Sequence, residues 1–71
     1  MKPVEAIQFV DLDSGDEAMV FVRAGRDSAG LALSLKQDGD IEVFFGPNEL
    51  DRLIGALQKA RAIVSGGASS D

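Results

Sequence analysis

Phe21, Arg23, Lys36 and Phe44 are the side chains of this sequence with the best prospect of doing chemistry together. Each sits in a segment of alternating apolar and polar residues, at a parity that places all of them on one side of a sheet. Aromatic rings on a sheet can stack with bases while cations meet phosphates, the combination used by proteins that hold single strands. Arg26, in the adjoining loop, could join them. Against that chemistry, the same side carries Glu42, and the chain has neither Trp nor Tyr. Seven basic residues face twelve acidic ones, for a net charge of -5, whereas nucleic-acid affinity is drawn from phosphate neutralisation. Phe at sheet positions serves packing more often than stacking. The same five residues therefore also read as a contact surface for a protein.

Other constellations say less. Asp11-Leu12-Asp13-Ser14-Gly15-Asp16-Glu17 gathers acids as a hard cation requires, but the spacing is not that of a calcium-binding helix-loop-helix, because Gly15 stands where a third ligand belongs. Acidic turn residues are the simpler reading, and no metal is expected. Ser14, Ser28 and Ser34 have no histidine to activate them, since the chain contains none. Gly25 and Gly30 flank a loop that leads into a strand, not a phosphate-cradling turn into a helix. The chain is expected to be no enzyme and to use no cofactor.

At 71 residues the chain is one small domain that leaves much apolar surface near water. It has no cysteine, so neither a disulfide nor a thiolate metal site can brace it, and oligomerisation is the remaining staple. No stretch approaches the roughly 18 apolar residues of a membrane span. Met1-Lys2-Pro3-Val4-Glu5 does not open like a signal peptide. A cytoplasmic protein is expected.

The elements that must position these residues are four strands and a helix. Val4 to Leu12 is β-rich, with Ile7 and Phe9 on one side and Val4, Ala6 and Val10 on the other; Asp13-Ser14-Gly15-Asp16 breaks it. In Glu17 to Ala24, Val20 and Val22 oppose Met19, Phe21 and Arg23. Leu31, Leu33 and Leu35, then Ile41, Val43 and Phe45, form a hairpin around Gln37-Asp38-Gly39. A three-residue loop with Gly39 left-handed keeps the aliphatic residues on one face, and pairing Lys36 with Asp40, Leu35 with Ile41 and Leu33 with Val43 is expected. Gly46 as N-cap, Pro47 at N1 and Glu49 at N3 then start a helix. Its stripe is Leu50, Leu53, Ile54, Leu57, Ala60 and Val64. Arg52, Lys59 and Arg61 lie off the stripe's centre, the last two toward the favourable C-terminal end. Gly55 either permits a close approach or is tolerated at the surface.

These elements predict an α+β domain over residues 1–64, a four-stranded antiparallel meander followed by one C-terminal helix (ββββα), with a disordered tail over 65–71. Consecutive strands joined by short loops are neighbours. The helix is expected on the face of Leu31, Leu33, Leu35, Ile41, Val43 and Phe45. One helix covers one side only, and Met19, Phe21 and Phe44 would remain on the other, where exposed apolar residues mark a contact. The expected protein is an accessory or interaction module working as a homodimer, with itself and another protein as partners. Single-stranded nucleic acid bound on the open sheet face is the alternative.

The layout, with the junction Gly46-Pro47-Asn48-Glu49-Leu50, resembles the single-stranded-DNA-binding transcriptional coactivators related to the whirly proteins. The resemblance covers roughly residues 20–64. It implies a dimer whose sheets present basic and aromatic residues to single strands, with Arg23, Lys36 and Phe44 as the positions that correspond. The acidic chain departs from that pattern, as does the absence of a basic N-terminal stretch.

Overall fold

The computed structural model describes residues 1–65. Strands β1 (Lys2–Val10), β2 (Glu17–Ala24), β3 (Ala29–Leu35) and β4 (Gly39–Phe45) are followed by helix α1 (Pro47–Ser65). The sheet order is β1-β2-β3-β4, antiparallel throughout, so the α+β meander with one C-terminal helix is as the sequence predicts.

The turns follow from their residues. Between β1 and β2 the Asp11 carboxylate accepts from the Ser14 N–H at 2.8 Å, and Asp16 N–H donates to Ser14 Oγ at 3.2 Å. Gly15 adopts φ +78°, the left-handed region that glycine enters without steric cost. Between β2 and β3, Gly25 N–H donates to the Ser28 carbonyl at 2.7 Å. Between β3 and β4, Gly39 takes φ +87°, left-handed as expected. The register, however, differs from the expected one by two residues. Leu35 pairs with Gly39, Leu33 with Ile41 and Leu31 with Val43. Lys36 and Asp40 are not opposite one another. Asp40 instead accepts from Ser34 Oγ at 2.7 Å, and Lys36 N–H donates to the Glu17 carbonyl at 3.0 Å. The turn closes one step earlier, through Asp38 N–H to the Leu35 carbonyl at 3.0 Å. A two-residue slip leaves every side chain on its intended face, so the hydrophobic pattern permits either register.

β1 carries a register shift between Pro3 and Glu5. Such a bulge adds local twist near the start of the strand. Beyond it Ile7 pairs with Val20 and Phe9 with Ala18, which extends the aliphatic face across all four strands.

The helix begins as its sequence dictates. Gly46 N–H donates to Glu49 Oε1 at 3.2 Å, and the Gly46 carbonyl accepts from Leu50 N–H at 3.0 Å. These bonds satisfy orphan groups of the first turn. The far end runs to Ser65, whose hydroxyl donates to the Arg61 carbonyl at 2.8 Å. The last turn therefore holds no basic residue, and Lys59 and Arg61 fall short of it. The expected tail over 65–71 loses Ser65 to the helix, and the remainder lies outside the described residues.

One expectation fails. α1 does not lie across the aliphatic face of the sheet; its one substantial neighbour among the described residues is β4, the strand it leaves. No residue of the helix is buried. The physical reason is the junction. Gly46 alone separates β4 from α1, and its capping bonds fix the direction in which the helix departs. Among the described residues Ala29 is the only buried hydrophobic side chain, at 6% exposure. The chain is a slab of 39 × 31 × 16 Å with a radius of gyration of 14.0 Å, against about 11 Å for a compact chain of this length.

Candidate interaction surfaces

The sheet has two faces of different character. On the first, three cross-strand rows run Lys2–Ala24–Ala29–Phe45, Glu5–Val22–Leu31–Val43 and Ile7–Val20–Leu33–Ile41. On β2, β3 and β4 every one of these residues is apolar, and Val22–Leu31 and Val20–Leu33 set a β-branched side chain against a γ-branched one; β1 adds Lys2 and Glu5 at the edge. Ala29 is buried and Val20, Val22, Leu31 and Phe45 are half-buried, while Ile7, Leu33, Ile41 and Val43 lie open. Ile41 is 62% exposed, and Leu33 and Val43 are each 47% exposed. The helix stripe is half-buried at Leu50 and Leu53 and open beyond them, with Ile54 at 45% and Leu57 at 59%.

The second face gathers the residues singled out by their chemistry. Arg23 pairs with Gly30 and Gly30 with Phe44 in one row; Phe21 pairs with Ala32 and Ala32 with Glu42 in the next. The structure therefore brings Phe21, Arg23 and Phe44 together. The Arg23 guanidinium carbon stands 5.1 Å from the Phe21 ring centroid, within range for a cation–π contact. Arg23 Nε lies 3.4 Å from Glu42 Oε2, and each of these two atoms is shielded from water without a hydrogen bond of its own. The Phe44 ring lies over Gly30, where a Cβ would come within 2.8 Å of Phe44 Cε1. Glycine here makes room for the ring, and the ring in turn covers the bare backbone. Gly30 is the member of this cluster that sequence reasoning missed; only the cross-strand register reveals it.

Two of the expected residues lie elsewhere. Arg26 sits exposed in the β2–β3 loop, at the Arg23 end of the sheet. Lys36 follows the far end of β3. That places it about 20 Å along the strand from Gly30, at about 3.3 Å per residue. The structure does not bring Lys36 to Phe21, Arg23 and Phe44.

Shallow depressions open near Phe9, Ala18, Met19 and Ser34, at the Lys36 end of the sheet. One is lined by Glu17 and Lys36 and the other by Asp11, Asp38 and Asp40, at the mouths of the two turns. The acidic β1–β2 turn is closed upon itself. Asp11 is held below its ordinary carboxylate range, chiefly by the backbone N–H of Ser14 and then by the Ser14 side chain. Among the described residues no group of three or more acids could hold a metal ion between them, and no helix is long and apolar enough to cross a membrane.

No protein-family model, curated protein or solved structure matches this chain.

Proposed function

We propose that the protein is a non-catalytic interaction module that works as a homodimer in the cytoplasm, with the aliphatic sheet face as the dimer contact. The observation behind this reading is the missing core. The chain exposes 5632 Å², whereas a compact monomer of 7.5 kDa exposes about 4,200 Å². Residues 66–71, even at the fully extended limit, account for no more than about half of the difference. What remains is of the order of the roughly 800 Å² that each partner contributes to a stable interface. The uncovered rows are aliphatic and free of charge in the middle of the sheet, as in obligate dimers. A small chain without cysteine has few other means of bracing itself.

Light scattering behind size exclusion at micromolar concentration tests this. A mass of twice 7.5 kDa is expected. A monomer that still melts cooperatively would remove the reading.

A second reading draws on the opposite face. Phe44 is 57% exposed beside Phe21 and Arg23, an arrangement suited to stacking on unpaired bases, and the likeness to single-strand-binding coactivators points the same way. Its weakness is charge, since Glu42 lies against Arg23 and Lys36 is remote. Titration with labelled single-stranded DNA at low salt decides it. Binding that weakens with salt and is lost in Arg23→Glu/Lys36→Glu would promote this reading, and no binding at low salt would end it.

A further inference from the structure

We infer that the segment covering the aliphatic sheet face is α1 of a second copy of this chain, exchanged reciprocally between two protomers. The inference rests on the dimer reading and goes beyond it by naming the contact. Two apolar surfaces in each protomer are bare: the sheet face around Leu33, Ile41 and Val43, and the helix stripe around Ile54 and Leu57. Within the described residues α1 meets the sheet substantially only at β4, next to the single-residue junction at Gly46 and its capping bonds, and Ile54 and Leu57 farther along the stripe stay open. Pairing two sheets face to face would leave both helix stripes wet. Pairing two helices would leave both sheet faces wet. Laying each helix on the other protomer's sheet covers all four surfaces with one twofold operation, so that the same contact is made twice.

Size and charge agree. The 19 residues of α1 span about 28 Å, and strands of seven to nine residues span roughly 23–30 Å. After Asp51 the helix carries only basic charge, at Arg52, Lys59 and Arg61, with Arg61 at the margin of the stripe. The loops at one end of the sheet carry Asp11, Asp13, Asp16 and Asp38. A helix laid along the partner's strands with its basic half over that end brings opposite charges together.

The chain has no cysteine, so thiols can be placed at will. Chains bearing Ile41→Cys and chains bearing Leu57→Cys, distinguished by mass, are mixed and treated with a short bis-maleimide. A cross-link from position 41 of one chain to position 57 of the other is expected to dominate over links between like positions. A second experiment mixes Leu33→Asp with Leu57→Asp. Each variant alone spoils both contacts of its dimer, whereas the mixture keeps one contact intact. The mixture is expected to associate at least tenfold more tightly than either variant by itself. Dominant links between like positions, links confined within single chains in the Ile41→Cys/Leu57→Cys double variant, or a mixture no better than its components would overturn the exchange. Should Leu33→Asp fail to fold, the cross-linking arm still decides. A dimer with the wrong cross-links removes the exchange alone; a monomer removes the dimer reading with it.

Discussion

The two faces of this sheet come from the same strands, yet they differ in where their needs are met. On the face of Arg23 and Phe44 the side chains find one another. Glu42 meets Arg23, Asp40 meets Ser34, and the Phe44 ring settles over Gly30. On the face of Leu33 and Ile41 the side chains of the three inner rows ask for burial, and the described residues supply it in full only at Ala29. Polar and aromatic groups can be satisfied by a neighbour one strand away, because hydrogen bonds and ion pairs are short-ranged and pairwise. Aliphatic groups need a second layer, and a lone sheet does not have one. The contrast separates what this chain settles by itself from what the proposed dimer would supply.

The sharpest way to break the comparison is to place the same charge on each face in turn. In the proposed dimer Leu33→Asp should cost about 3–5 kcal/mol, the penalty of an uncompensated charge buried in an interface. Its neighbour Ala32→Asp, on the opposite face, should cost under about 1 kcal/mol. Urea melts at fixed protein concentration compare them; equal losses would mean that the two faces are not different in kind. Next in size is Gly30→Ala. The added methyl would press on the Phe44 ring and approach Glu42 Oε2 at 3.3 Å, and about 1 kcal/mol of overpacking is expected. Phe44→Leu made in the same background should recover part of the loss, which thermal melts of the single and double variants would show.

The Arg23–Glu42 pair is a smaller matter. Both side chains are partly exposed, at 40% and 27%, so a double-mutant cycle through Arg23→Gln and Glu42→Gln should return about 0.5 kcal/mol, diminishing in salt. The smallest effect belongs to the acidic turn. The pKa of Asp11 is lowered in the folded state, so folding favours the ionised form. Its contribution is present above the unfolded value near 3.8 and is lost as pH falls through the lower folded value. Asp11→Asn should flatten that part of the pH–stability curve, most visibly below about pH 4, and carboxyl NMR should show Asp11 titrating below its ordinary range.

Much of the architecture was legible in the residues. Gly46-Pro47 and Glu49 announced the helix start, and the alternation from Leu31 to Phe45 announced the hairpin and its faces. The hairpin register was not legible. Alternation has a period of two, so a slip of two residues satisfies it equally, and Gly39 is left-handed in both cases. The resting place of the helix was not legible either. A stripe such as Leu50, Leu53 and Leu57 states that it requires cover but not which surface gives it. Of the second face, Phe21, Arg23 and Phe44 could be grouped by parity alone. Lys36 shared that parity but lay past the end of β3, and the fit of Phe44 over Gly30 depends on a pairing that parity does not specify.

The outer margin of β1 has its own consequence. Val4, Ile7, Phe9 and Val10 are each at least 45% exposed there, along a row of backbone groups that no fifth strand engages among the described residues. Lys2, Pro3, Glu5 and the adjoining bulge guard its first half, and the stretch from Ala6 to Val10 carries no charge. Such a margin is a template on which extended segments of other molecules can grow. Stocks of the purified protein should accordingly seed thioflavin-positive fibrils on prolonged agitation, and replacing Ile7 with lysine should delay their appearance.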